Sequence, residues 1–167
     1  MKSLIKGSLT TLALAAVALS IAQTNGPQGF SLRAGAAFPQ AGSTNLALGV
    51  DFKLPQFGAP AARGVYASYF GISGDWYGNG DRWNIPIAAT YNVRNNNLVF
   101  SGGVGIDWEH NNGDTNTGLG FQVGATYEFQ NTMSKTGTGA PIFLQAKYFF
   151  ARDSDLSGFG LYLGVRF

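Results

Sequence analysis

The chain has no cysteine, one histidine and two methionines in 167 residues, and charged side chains make up only 12% of it. Without cysteine there is neither a disulfide staple nor a residue to carry a lipid anchor, so stability has to come from hydrogen-bonded architecture and packing. Eleven basic and nine acidic residues leave a net charge of +2, and Lys2 and Lys6 alone account for that excess. The rest of the chain is neutral, which removes nucleic acid as a partner class. After residue 22 no stretch approaches the roughly 18 consecutive apolar residues of a spanning helix, which argues against a helical membrane protein.

What is present begins with Lys2 and Lys6, followed by an uncharged apolar run from Leu9 to Ile21 that ends on the small residues Ser20 and Ala22. That layout is a secretory signal peptide, and the run is too short to span a bilayer as a helix. Cleavage is expected after Ala22, giving a signal peptide over 1–22 and a mature chain over 23–167 that is one domain by length.

Glycine is abundant, at 24 residues, and aromatics reach 14%. From residue 29 onward eight segments alternate apolar with small or polar residues, near 29–38, 45–54, 63–72, 83–93, 97–109, 118–129, 141–151 and 158–167. Gly, Asn, Asp and Pro clusters separate them, as turns separate strands. In the sixth, Leu119, Phe121, Val123, Ala125, Tyr127 and Phe129 share one face, opposed by Gly120, Gln122, Gly124, Thr126 and Glu128. The fifth sets Leu98, Phe100, Val104, Ile106 and Trp108 against Ser101, Gly103, Gly105, Asp107 and Glu109. In the third, either Val65, Ala67 and Tyr69 or Tyr66, Phe70 and Ile72 form the apolar face.

A soluble barrel turns its large residues inward and covers its exterior with charge, and here the small-residue face holds too little charge for an exterior. Arg33, Asp51, Lys53, Arg94, Asp107, Glu109, Glu128, Lys147 and Arg166 all fall on that face. The pattern is inside-out: apolar to lipid, polar to a lumen. The fold class expected is all-β, an eight-stranded antiparallel up-and-down transmembrane β-barrel behind a cleavable signal peptide. An even strand number brings both ends of the mature chain to the periplasmic side. Outer connections are then expected near 39–44, 73–82, 110–117 and 152–157, and periplasmic ones near 55–62, 94–96 and 130–140. Pro86 is placed near the outer end of its strand, where a missing N–H does least harm. A first turn around Gly42 sets Arg33 opposite Asp51, and a last turn centred on 154 and 155 sets Lys147 opposite Tyr162. The charged lumen residues are expected to pair and to act as a plug.

The C-terminal stretch places Phe159, Leu161, Leu163, Val165 and Phe167 at every second position and ends on the last of them. It looks like the terminal signal by which outer-membrane barrels are recognised by their assembly machinery. With the leader and the eight segments, the mature chain resembles the small eight-stranded outer-membrane barrels, the OmpX-like and OmpA-transmembrane-like group. The resemblance implies a bacterial outer-membrane location, lipid and the barrel assembly machinery as partners, and a monomer. That group spans adhesins, complement-resistance factors, structural barrels and lipid A enzymes, so fold does not fix function.

Candidate chemistry is sparse. A lipid A deacylase of this barrel class uses a His/Ser/Glu set with His and Ser two residues apart on one strand. Here the sole histidine, His110, is followed at that spacing by Asn112, and it reads as a solvated residue at a loop edge beside Asp107 and Glu109. The run from Asp153 to Gly158 imitates half a calcium loop, but Gly164 stands where a bidentate Glu is required, so it reads as a polar hairpin turn. Gly102, Gly103 and Gly105, and likewise Gly118 and Gly120, lie inside strands with no helix behind them, which gives a phosphate-cradle reading almost no weight. Asp75, Asp81, Asp114, Asp153 and Asp155, with Arg82, Arg152, Trp76 and Tyr77, are assigned to the outer loops, and Trp83, Tyr91, Trp108 and Tyr148 to an interfacial belt. The function expected is therefore a non-enzymatic barrel with a structural or adhesin-like surface-binding role, whose surface ligand is unknown. A narrow pore and a lipid A-modifying enzyme at His110 are the alternatives. No catalytic residue, metal site or cofactor is expected.

Overall fold

The computed structural model describes residues 29–54, 66–129 and 142–166. They form eight strands, β1 (Phe30–Pro39), β2 (Asn45–Lys53), β3 (Tyr66–Asn79), β4 (Arg82–Asn95), β5 (Leu98–Asn111), β6 (Asp114–Glu128), β7 (Ile142–Phe150) and β8 (Gly158–Arg166). Each pairs antiparallel with the next, and β8 returns to β1 to close the barrel. Closure is what lipid demands, since an open edge would leave backbone N–H and C=O groups with neither water nor a partner. The expected signal peptide over 1–22, the connections at 55–62 and 130–140 and the terminal Phe167 lie outside the described residues.

Alternation sets the two faces. Leu98, Phe100, Val104, Ile106 and Trp108 on β5 and Leu119, Phe121, Val123 and Tyr127 on β6 are exposed, while Asp107, Glu109, Gln122, Thr126 and Glu128 are buried inside. An all-round apolar exterior of this kind has only hydrocarbon as its complement. On β3 the ambiguity is settled by burial: Phe70 and Ile72 face out and Tyr69 faces in.

The strands differ in length, and here the structure corrects the expected loops. β3, β4, β5 and β6 run for 14 or 15 residues, against 9 or 10 for β1, β2, β7 and β8. The outer connections expected over 73–82 and 110–117 shrink to the pairs Gly80-Asp81 and Asn112-Gly113. Both Asn112 and Gly113 have positive φ, +52° and +97°, which is the backbone a two-residue hairpin needs and which Asn-Gly adopts readily. Pro86 is the fifth residue of β4. The β3–β4 pairing skips Asp75 and Trp76 opposite Ile85 and Pro86, and resumes in the same register at Tyr77 opposite Asn84.

Register is the second correction. Arg33 lies opposite Gly49 and Asp51 opposite Ser31, while Lys147 lies opposite Gly160 and Tyr162 opposite Gln145. Both hairpins are offset from the expected pairing by two residues. A slip of two keeps every side chain on its face, so alternation carries no information about it; only turn geometry does.

Lipid-facing depth yields a test. Val104→Arg, near mid-height, is expected to destabilise the barrel by about 2–4 kcal/mol, and Leu46→Arg at the outer rim by about 0–1 kcal/mol. Urea unfolding in lipid vesicles measures both, and equal costs would contradict the depth assignment.

Candidate functional site

Inside the barrel the charged side chains sort into three levels. At mid-height Asp75, from β3, receives Arg33 from β1 and Lys147 from β7. Arg33 Nη2 and Nε lie 2.7 and 3.0 Å from Asp75 Oδ1, and Lys147 Nζ lies 2.7 Å from Oδ2. Arg33 Nη1 bonds Asp51, and both cations also donate to Ser73 Oγ, at 3.0 Å from Arg33 and 2.8 Å from Lys147. The arrangement ties β1, β2, β3 and β7 together across the lumen. The side chains of Arg33 and Asp75 are 0% exposed and that of Asp51 is 28% exposed, so Asp75 is the deeper of the two anions. Gly49 provides the room, since a Cβ there would collide with the Arg33 guanidinium and the Asp75 carboxylate.

Toward the periplasmic end Glu128 binds both Arg94, at 2.6 Å from Nη1 to Oε2, and Arg166. Lys53 enters no ion pair among the described residues and lies 4.7 Å from the Tyr69 ring centre. Toward the outer end Asp107 and Glu109 are buried, and neither is in an ion pair among the described residues. Glu109 accepts the backbone N–H of Asp153 at 3.2 and 3.3 Å.

The β7–β8 connection crosses the outer mouth. Its 3-10 turn, Ser154–Leu156, is capped by the Asp153 carboxylate, which accepts from Asp155 N–H at 3.0 Å. Tyr77 Oη donates to the Leu156 carbonyl at 2.7 Å, Asn111 donates to Asp153 at 2.8 Å, and Gln40 N–H donates to the Ser157 carbonyl at 2.7 Å. Leu156 is consequently buried. The run that imitates a calcium loop is this cap. Among the described residues no three His, Cys, Asp or Glu side chains converge on a metal position.

The nine charged residues expected in the lumen all project from its side of their strands. Asp75, expected in an outer loop, is a correction: it is fully inside, as is Tyr77. The signal was present, because Tyr69, Gly71, Ser73, Asp75 and Tyr77 continue one odd-numbered face. His110 is also corrected. It lies on the outward face, opposite in direction to Asp107 and Glu109, with Nδ1 2.9 Å from Thr115 Oγ1 and its ring stacked on Trp83 at 5.3 Å.

Because Asp75 neutralises two buried cations, Asp75→Ala is expected to cost about 3–5 kcal/mol of unfolding free energy and more than Asp51→Ala. Urea titration of the two refolded variants decides it; a larger loss for Asp51→Ala would displace Asp75 from the centre of the network.

No protein-family model matches the chain, and no curated protein matches it. Solved structures do. The crystal structure of the outer membrane enzyme PagL aligns with 82% of this chain and 99% of its own at 12% identity and a TM-score of 0.50. The backbone structure of the Yersinia pestis outer membrane protein Ail in a phospholipid bilayer nanodisc aligns with 83% of this chain and 98% of its own at 13% identity and a TM-score of 0.44. Likeness at such identity speaks to fold. It nevertheless corrects the expectation that the chain is not an enzyme, because the same barrel carries an enzyme in PagL and the missing His/Ser spacing gives no ground for exclusion. With its closed eight-stranded antiparallel topology, apolar exterior and polar lumen, the chain has the fold of a small transmembrane β-barrel, the fold it shares with the outer membrane enzyme PagL.

Proposed function

We propose that the barrel keeps its lumen shut and presents its outer hairpins as a structural or ligand-binding, adhesin-like surface. The observation that carries this reading is Asp75 shared between Arg33 and Lys147 across the mid-lumen, with the 151–157 connection folded over the mouth above it. An ion in so narrow an interior costs several kcal/mol unless paired, so a network of complementary charges is stable only when closed. Opening a conducting path means separating Asp75 from both cations.

The outer hairpins supply the surface. β6 continues outward past its outermost pairing with β7, Phe121 with Phe150, so the β5–β6 hairpin stands above the end of β7. The extra length of β3 lies at its other end, since Gly78 still pairs with Leu46 at the outer end of β2 while the strand runs on past the Lys53–Gly71 pair to Tyr66. The lumen set (Arg33, Asp51, Lys53, Arg94, Asp107, Glu109, Glu128, Lys147 and Arg166, now with Asp75) acts as the plug in this reading. The alternating Phe159, Leu161, Leu163, Val165 and Phe167 serve as the assembly signal, and the barrel is monomeric.

A second reading rests on the contact of His110 Nδ1 with Thr115 Oγ1 at 2.9 Å on the outward face, near the outer rim. A hydroxyl beside an imidazole is the pairing of a nucleophile with its general base, and the location gives it access to lipid rather than to the lumen. The reaction class would be acyl transfer or hydrolysis on an outer-leaflet lipid.

Three measurements test these readings. In planar bilayers the wild-type barrel is expected to give no conductance steps, and a variant lacking residues 152–156 with Asp75→Ala is expected to give them; steady steps from wild type would make it a pore. Mass spectrometry of outer-membrane lipid decides the second reading, which requires an acyl change that wild type produces and His110→Ala and Thr115→Ala do not. Phe167→Ser is expected to lower the amount of barrel assembled in cells while leaving the unfolding free energy of refolded barrel nearly unchanged. Unaltered membrane levels would remove the signal role.

A further inference from the structure

We propose that the outer third of the lumen is a binding site for one hard divalent cation, of the calcium or magnesium class, held by Asp107 and Glu109 with amide oxygen support from Asn84. The two carboxylates project from β5 two residues apart on its inner face, and both are buried. Among the described residues neither is in an ion pair, whereas every other carboxylate on the lumen face is. The pair therefore leaves two negative charges in a confined, low-dielectric space, where like charges repel strongly and a cation is the natural complement.

A second observation points to the same place. Asn84 is 0% exposed and lies directly across the β4–β5 pairing from Glu109. Its Nδ2 donates to Tyr77 Oη at 2.9 Å and faces the Asp107 carboxylate, while its Oδ1 has no partner. A buried carbonyl oxygen without a donor is costly, and the carboxylates of the facing strand, which can only accept, offer it none. A metal ion held among them would balance the charge of both carboxylates and give the Asn84 oxygen the partner it lacks.

The surroundings fit an oxygen-coordinated ion. The Asp107 carboxylate leans over Gly120, where a Cβ would collide with it. Gln122, the next residue on that face of β6, is 4% exposed and neither atom of its amide has a partner, so the lumen wall beside the pair carries a further unpartnered oxygen. Above Glu109 a cavity of about 170 Å³, lined also by Asn111, Asn116, Arg152 and Asp153, gives room for water ligands and a route from outside. Carboxylate, amide carbonyl and water oxygens are the donor set of calcium and magnesium, with no nitrogen or sulfur to favour a softer metal.

The test uses the full refolded barrel at neutral pH, titrated with terbium and then competed with calcium. Trp108, between the two carboxylates in sequence, supplies the sensitising indole. The expected result is one saturable site from which calcium displaces terbium, weakened about tenfold or more in Asp107→Asn/Glu109→Gln and to a lesser degree in Asn84→Ala. Calcium is also expected to raise the unfolding temperature of wild type and not of the double variant. Heat-modified electrophoretic mobility confirms that each variant is folded. If the double variant does not fold, the single Glu109→Gln and Asn84→Ala variants carry the comparison. Three results would overturn the proposal: no saturable binding by wild type, binding unchanged in the folded lumen variants, or binding lost in Asp155→Asn and kept in the lumen variants. The last of these puts the ion on the surface cap.

Discussion

An eight-stranded barrel encloses just enough space for side chains and no bulk water, and most of what distinguishes this chain follows from that limit. A long charged residue in such a lumen needs both a partner and an opposing position with no side chain. Gly49 stands where a Cβ would strike Arg33 and Asp75, Gly120 where one would strike Asp107, and Gly160 where one would strike the ring of Tyr162. The abundance of glycine is thus a steric complement to the lumen's large polar residues. Glycine weakens strands in general, and here closure of the sheet offsets that cost. The buried ion pairs need not add stability over an apolar core of equal volume, but removing one partner leaves the other charge buried and uncompensated.

The charges are also ordered along the barrel axis. Lys53, Arg94 and Arg166 against Glu128 make the periplasmic level net positive by two. Arg33 and Lys147 balance Asp51 and Asp75 at mid-height, and Asp107 with Glu109 makes the outer level net negative by two. The lumen as a whole is neutral, yet it carries a dipole along its axis. Low-dielectric walls focus the field of such an arrangement, attracting cations at the outer mouth and anions at the inner one. The central level holds the two ends apart, because neither unpaired set can relax toward the other while Asp75 occupies both central cations.

How much of this was legible depends on what alternation encodes. Period two assigns faces, so the outward Phe121 and Val123 and the inward Gln122 follow from the sequence, as does the strand number. It fixes register only modulo two and leaves slips of two undetermined, which is why Arg33 falls opposite Gly49 instead of Asp51 while remaining within reach of Asp51 diagonally. Nor does it mark where a strand ends. Ending the third strand at Ile72 removed Asp75 from the lumen and with it the residue on which Arg33 and Lys147 converge, although Ser73, Asp75 and Tyr77 kept the parity of Tyr69. The cap was unreadable for another reason: its contacts with Tyr77, Asn111 and Gln40 join positions 42 to 117 residues away, and no local pattern reports them.

The outer rim shows the same limit in a form that bears on function. Searching for a serine two residues from His110 on one strand tests a single geometry, while a tight hairpin creates another. Once Asn112-Gly113 is taken as a two-residue turn, Asn111 must face Asp114 and His110 must face Thr115, with their side chains on one surface. The imidazole and hydroxyl then meet at 2.9 Å across strands, although they are five residues apart in sequence. Trp83, directly across from His110 on the other side, stacks on the ring and fixes its plane. Turn chemistry, more than residue spacing within a strand, is therefore what decides which side chains of a small barrel can act together.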